Sequence, residues 1–273
     1  MEGPVRKAVI AGSWYPGDPE SLRRDIRRYL DSACVEPPEG KPVALVSPHA
    51  GYLYSGPVAA FAYKAVEGLS YTTVVVISPS HRVAFPSVSV WPSGAYETPL
   101  GRIEVDEALC SELLEWPVFT DDTRPHAREH ALEIQLPFLQ VTLGSFKLCP
   151  LIMGSQDADV CESVARALHE AVLSPEDTLV VASSDLSHFH RSATAERMDL
   201  AVAKYLESFD ITSLSKALDR SEVEACGGGP ILTAMIYAKL LGRTTSRVLR
   251  YAHSGHVTGD NSSVVGYLAA LIR

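Results

Sequence analysis

Residues 43–52 read VALVSPHAGY, a short apolar run that stops at a proline and is followed at once by a histidine. Residues 72–81, TTVVVISPSH, repeat the arrangement and end at His81, while LVVAS at 179–183 leads into Asp185 and His188. These runs are apolar at successive positions without strict alternation. That pattern suits strands of a parallel or mixed sheet covered by helices on both faces. In open α/β sheets ligands bind outside the carboxyl ends of the strands, where residues distant in sequence converge. His49, His81, Asp185 and His188 stand at such ends, and so does His253 after the apolar run near Tyr251. Pro48 and Pro79 fix φ and lack an amide hydrogen, so each ends a ladder and holds the following residues in a set direction.

Working outward, the spacing predicts strands at 43–47, 73–78, 87–91, 146–152, 178–182, 247–252 and 263–268. Helices are predicted at 18–31, 57–67, 105–115, 130–142, 159–172, 192–208, 211–219 and 230–241. The first carries Leu22, Ile26 and Leu30 at four-residue spacing among arginines, one apolar stripe on a charged helix. No fixed-period repeat and no long linker interrupts residues 43–268. The expected fold is α/β, a three-layer α/β/α single domain over 1–273 with a central mixed, largely parallel sheet.

Composition narrows the function classes. The chain has 273 residues, 46% hydrophobic, and a formal net charge of -9. Acidic and basic residues are mixed along it, which disfavours a nucleic-acid partner, because phosphate binding wants a concentrated basic surface. There is no long apolar run for a membrane span, and the N-terminal residues lack the basic-then-apolar order of a signal peptide, so a cytoplasmic location is expected. The five cysteines are widely spaced with no CxxC pair, which suggests neither disulfides nor a four-cysteine zinc knuckle.

The reactive candidates cluster in a few motifs. SSDLSHFH places Asp185 and His188 three apart, as if to share one face of a helical turn, where a carboxylate fixes an imidazole's tautomer and raises its basicity. EACGGGPILTAM sets Cys226 before three glycines and Pro230, a good first-turn residue for the next helix. RPHAREHALEIQLPFL offers Glu129 and His130 as pocket-wall residues at a helix start, but it is not an HExxH motif, since the second histidine is absent. Tyr54 and His253 are further pocket candidates. A site drawing on His49, His81 and either Cys226 or Asp185 suits zinc, copper or iron(II) far better than magnesium or calcium. A metal-independent alternative uses Cys226 as nucleophile with His188 or His81 as base.

SPHAGYLYSG, SPSH, REHALEIQLPFL, SSDLSHF and ACGGGPI, in this order, resemble the Memo-like family. That family is known also as the B component of a three-part set with a radical-SAM enzyme and an AMMECR-type domain. The resemblance runs from AGSWYPG at 11–17 through the terminal strand. It implies a fold similar to the extradiol ring-cleaving dioxygenases, whose iron is held by two histidines and a glutamate. By that similarity His49, His81 and Cys226 are the metal ligands, with Cys226 where the glutamate stands; His188 is the nearest match to the acid/base histidine, and it and Asp185 either support the ligands from behind or form an acid/base pair. Iron(II) or copper is the implied cofactor, with zinc as a further candidate. The implied partner is a small molecule or peptide, together with the radical-SAM and AMMECR-type proteins. A thiolate in place of the carboxylate makes ring cleavage itself doubtful, because the sulfur donates more charge and is readily oxidised. Two further classes stay open: an interaction module receiving a peptide in the same pocket, and a thiol hydrolase. Some members of that family carry bulkier basic residues where this chain has Gly227 and Gly228, which implies a roomier or less charged pocket wall.

Overall fold

The structure, a computed structural model, describes residues 3–273. In chain order its elements begin with β1 (Val5–Arg6), α1 (Pro19–Ser32), β2 (Ala44–Ser47), α2 (Tyr52–Lys64), β3 (Thr73–Pro79), β4 (Val88–Val90), β5 (Ala95–Thr98) and β6 (Gly101–Glu104). There follow α3 (Glu107–Leu114), β7 (Phe119–Thr120), α4 (His130–Glu133), α5 (Leu136–Thr142), β8 (Lys147–Met153), α6 (Ala158–Ala171) and β9 (Thr178–Ser183). The chain closes with β10 (His188–His190), α7 (Ser192–Glu207), α8 (Ile211–Asp219), α9 (Gly228–Leu240), β11 (Ser246–His253), α10 (Gly255–Thr258) and β12 (Val264–Ile272).

The centre is four parallel strands side by side in the order β2, β9, β3, β8. Antiparallel strands extend both flanks: β12 lies on β2 and carries β10 and β11, while β4 lies on β8 and carries β7. Successive residues of a strand face opposite sides of a sheet, and β3 shows the consequence. Val75 and Ile77 pack in one core with Leu168 of α6 and Ile231 of α9, whereas Val74 and Val76 pack in the other with Ile26 of α1 and Phe138 of α5. Both faces of the sheet are thus covered, the mixed three-layer arrangement expected. Each fully buried aliphatic side chain of this kind contributes roughly 1.5–3 kcal/mol of transfer free energy. The stripe of α1 is fully buried at Leu22, Ile26 and Leu30, and Asp18 caps the helix by accepting from the Ser21 amide at 2.8 Å.

Three local readings are corrected. The helix expected at 57–67 opens five residues earlier at Tyr52 and carries Pro57 inside it, in the second turn, where the ring gives no amide hydrogen to the Leu53 carbonyl. The helix expected at 130–142 is broken into α4 and α5, because Pro137 has no amide hydrogen to give the Glu133 carbonyl one turn earlier. Residues 188–190 form a short strand against β12, not the helical turn expected after Asp185. A small second sheet in the order β1, β5, β6 was not foreseen; its strands are only two to four residues long, too short for periodicity to register. Among the described residues no helix is long and apolar enough to cross a membrane.

Candidate metal centre

Because β2, β9 and β3 are parallel neighbours, the segments that follow them leave the sheet side by side. Ser47 pairs with Ser183, and Ala182 with Ile77, so His49, Asp185 and His81 emerge at one level of the carboxyl edge. Asp185 ties the first two strands together: its Oδ1 accepts the His49 backbone N–H at 2.7 Å.

The two histidines are each held by their outer nitrogen. His49 Nδ1 lies 3.0 Å from Ser183 Oγ, whose own proton goes to the Ala131 carbonyl at 2.6 Å and which also accepts from Gln135 Nε2 at 2.8 Å. With its proton committed, Ser183 can only accept from His49. The proton of His49 is therefore on Nδ1, and Nε2 presents a lone pair. His81 Nδ1 lies 2.9 Å from Glu129 Oε1, and the same carboxylate accepts the His81 backbone N–H at 2.7 Å. A carboxylate only accepts, so His81 donates from Nδ1, and its Nε2 is the nitrogen left for an ion. Outer hydrogen bonds of this kind fix the tautomer and raise the basicity of metal-ligating imidazoles.

Cys226 completes the approach from α9. Its Sγ is 3.0 Å from His49 Nε2 and 3.5 Å from the Asp185 carbonyl, and its backbone N–H donates to that same carbonyl at 3.2 Å. Gln156, just past the carboxyl end of β8, clamps the segment by donating to the Cys226 carbonyl at 2.9 Å and accepting from the Gly229 amide at 2.7 Å. The glycines are there for contact, which corrects the roomy wall expected of them. A Cβ on Gly227 would lie 2.2 Å from the Ser183 carbonyl oxygen, and one on Gly228 would lie 2.9 Å from Leu218.

His130 joins the pair of histidines more closely than sequence spacing suggested. One donor atom from each of His49, His81 and His130 lies within 4.8 Å of the others. Glu129 sits beneath this group, and it also caps α4 by accepting from the His130 and Ala131 amides, both at 2.9 Å. The His130 ring leans on Trp14 at 4.4 Å between centroids. Gln156, Glu224 and Trp14 went unassigned in the sequence; of these only Gln156 carried a signal, its place after an apolar strand.

With this geometry in view, comparison with known proteins is decisive. The Memo-like protein family model matches residues 6–271. A MEMO1 family protein of Sulfolobus acidocaldarius is 41% identical, with 97% of this chain and 98% of that protein covered. MEMO1 family proteins of Thermotoga neapolitana and Methanobrevibacter smithii are each 37% identical over 98% of this chain, covering 99% and 100% of their own lengths. The chain belongs to the Memo-like family.

The electrostatics of this Memo-like site follow from burial. Desolvation drives the His49 imidazole down to about 3, reinforced by neighbouring His81 and opposed by Glu129. Desolvation likewise pushes the Cys226 thiol well up, with the Asp185 charge adding to it. Left to themselves the two face each other as neutral thiol and neutral imidazole. That opposes the activated thiolate a metal-independent hydrolase needs. Burial raises Asp185 to about 6, against the hydrogen bond from the His49 amide, which lowers it. Glu129 goes the other way, to about 2: burial alone would raise it, but hydrogen bonds from His81 and from the His81 and Ala131 amides outweigh that.

A cavity of about 450 Å³ reaches Cys226 and is lined also by His188, Gln156, Glu224 and Leu218, a volume in the small-molecule range. His188 donates from Nδ1 to the Leu186 carbonyl at 2.7 Å, so Nε2 is the nitrogen not engaged by that bond. Tyr54 and His253 are not among these residues. They line a separate cavity of about 560 Å³ together with Arg250 and His256.

Proposed function

We propose that this Memo-like protein holds iron(II) or copper, with zinc as competitor, at His49, His81 and Cys226, and carries out redox or oxygenase-type chemistry on a small molecule. The observation that carries the reading is the commitment of both outer nitrogens, His49 to Ser183 and His81 to Glu129. It leaves the two inner nitrogens for an ion, and the Cys226 sulfur stands 3.0 Å from that of His49. Two imidazoles and a sulfur form a donor set that favours borderline and soft ions over magnesium or calcium.

When bound, such an ion supplies one-electron redox chemistry and Lewis acidity. The chain's own residues do the rest. The cavity beside Cys226 places a substrate against the sulfur and His188, whose Nε2 takes a proton from it. Asp185, raised by burial toward neutrality, holds or releases a proton next to the His49 and Cys226 backbones. The buried hydroxyl of Ser183 and the carboxylate of Glu129 keep the two imidazoles oriented. Redox change on a product or partner of a radical-SAM enzyme, with an AMMECR-type protein in the same set, is the setting we propose for it.

Anaerobic reconstitution with iron(II) or copper(I), followed by elemental analysis, tests the centre. Wild type is expected to retain about one equivalent at this site, and His49→Ala to lose it. Equal retention of iron or copper by the two proteins overturns the assignment.

A further inference from the structure

Away from this centre, a second group of metal-ligating side chains comes together where β11 ends. Glu196 of α7, His253 at the last position of β11 and His256 of α10 each bring a donor atom within 4.8 Å of the other two. We propose that these residues form a second divalent-metal site, of the zinc class, independent of the centre at His49 and His81. The two imidazole rings are stacked, with centroids 3.8 Å apart and planes 19° from parallel, and Glu196 Oε1 lies 3.3 Å from His253 Nε2. Two imidazoles and a carboxylate are a ligand set that zinc accepts in open sites, with water in the fourth position.

His253 supplies a second and independent reason. It is 2% exposed, and its Nδ1 is buried without a hydrogen-bond partner. A buried imidazole with one idle nitrogen and a carboxylate at the other is costly as a purely structural element, since desolvation is not matched by bonding. An ion taken at Nε2, beside Glu196, adds a ligand bond to a buried ring that now has a single 3.3 Å contact at that nitrogen. Adjacent donors of a tetrahedral zinc ion stand about 3.3–3.5 Å apart; Glu196 Oε1 and His253 Nε2 already do, and the wider distances in the group, at most 4.8 Å, have to close by up to about 1.5 Å. The two outer members can do this: Glu196 and His256 are exposed, while buried His253 stays fixed as the anchor. His256 would exchange the bond its Nδ1 now accepts from the His253 amide, 3.1 Å long, for the ion. The adjoining cavity, lined by His253, His256, Tyr54 and Arg250, gives the ion access from solvent. Such a site clips α7 to the β11–α10 turn.

Titration of the full-length protein with zinc, and with cobalt(II) as a spectroscopic probe, tests this. Wild type is expected to bind about one equivalent more than His256→Ala, and Glu196→Gln to weaken that equivalent by about tenfold or more. Cobalt bound in His49→Ala/His81→Ala should show ligand-field bands without sulfur-to-metal charge transfer. His256→Ala also removes the bond from the His253 amide and should lower the metal-free midpoint somewhat, whereas Glu196→Gln keeps an oxygen for His253 and should not; in both, the rise of the midpoint on adding zinc should shrink. Unchanged stoichiometry and affinity in both single variants overturns the proposal. The centre at His49 and His81 can fail its own test without affecting this result.

Discussion

His49 Nε2 and Cys226 Sγ meet at 3.0 Å although 177 positions separate the two residues in sequence. The contact joins the carboxyl end of β2 to the start of α9, and it puts a sulfur directly against the bare lone pair of an oriented imidazole. A cobalt(II)-loaded protein should therefore show intense near-ultraviolet sulfur-to-metal charge transfer, and Cys226→Ser should abolish it while weakening affinity by at least about tenfold. Retention of that absorption in Cys226→Ser would remove the cysteine from the ligand set. Loss of the cobalt ligand-field pattern in His130→Ala, with the charge transfer intact, would place the third imidazole on the ion as well.

Glu129 acts through His81. It holds the Nδ1–H and the backbone N–H of that residue and caps α4 at the same time. Glu129→Gln keeps an oxygen for the cap but loses the charge that makes His81 a stronger donor. Metal affinity should fall by about 10–100-fold, with the urea midpoint moving much less than in a variant that loses the cap altogether. Isothermal titration beside chemical denaturation reads both; unchanged affinity would show that the carboxylate serves α4 alone.

Gly227 makes a sharper steric prediction. Its amide donates to Ser184 Oγ at 3.0 Å, and an added Cβ would strike the Ser183 carbonyl at 2.2 Å. Backbone cannot yield as a side-chain tip can, so Gly227→Ala should push α9 away from β9, cost about 1–3 kcal/mol and carry the Cys226 sulfur off His49. Gly242→Ala serves as a contrast, since nothing stands within 4 Å of its Cβ position and its cost comes from a φ of +72° alone. Equal metal affinity in Gly227→Ala and wild type would refute the packing account.

Much of this was legible because one pattern, an apolar run followed by proline or serine and then an ionisable residue, recurs at the ends of adjacent parallel strands. VALVS, VVVIS and LVVAS read as strands, and the carboxyl-end rule then placed His49, His81 and Asp185 on one edge without any structure. What stayed hidden has physical causes. Glu129 and His130 could be seen at a helix start, but nothing in REHALE reveals that one carboxylate serves two histidines and a helix cap, since that depends on how α4 sits on β3. The break between α4 and α5 was written in Pro137 yet masked by the continuous apolar stripe around it. Strands as short as β1 and β6 have too few residues for alternation to appear. The glycines after Cys226 read equally as space or as contact, and only packing against Ser183 and Leu218 distinguishes the two.

Buried Glu133, far from the metal centre in role, anchors the N-terminal segment to α4. It pairs with Arg6, accepts the Val9 and Ile10 amides at 2.9 and 3.1 Å, and takes the Tyr15 hydroxyl proton at 2.6 Å. Arg6 is itself only 3% exposed, so Glu133→Ala leaves an uncompensated buried guanidinium. Stability should drop by about 3–5 kcal/mol, measured by urea denaturation. Arg6→Met/Glu133→Leu should recover a large part of that loss, because removing both charges avoids leaving either one buried alone. A double variant no more stable than Glu133→Ala would show that the backbone amides, not the guanidinium, set the cost.

His126 should make the fold acid-sensitive from about pH 6.5 downward, beginning above the range where carboxylates titrate. It is wholly buried between Tyr96, whose hydroxyl bonds Nδ1, and the Ser89 carbonyl, 3.2 Å from Nε2. Burial drives its pKa from 6.5 down to about 3; the Ser89 bond raises it in part, and the Arg6 charge lowers it further. Between those two values the unfolded chain binds a proton that the folded chain refuses. Its contribution is therefore complete above pH 6.5 and is lost as pH falls toward about 3, with a slope of at most about 1.4 kcal/mol per pH unit for a single proton. His126→Gln can still accept from Tyr96 or donate to Ser89 but does not titrate. Its stability is expected to be lower than wild type at pH 7 and to decline less steeply from there to pH 4, followed by urea midpoints across that range. Parallel decline of the two proteins would assign the acid sensitivity to other groups.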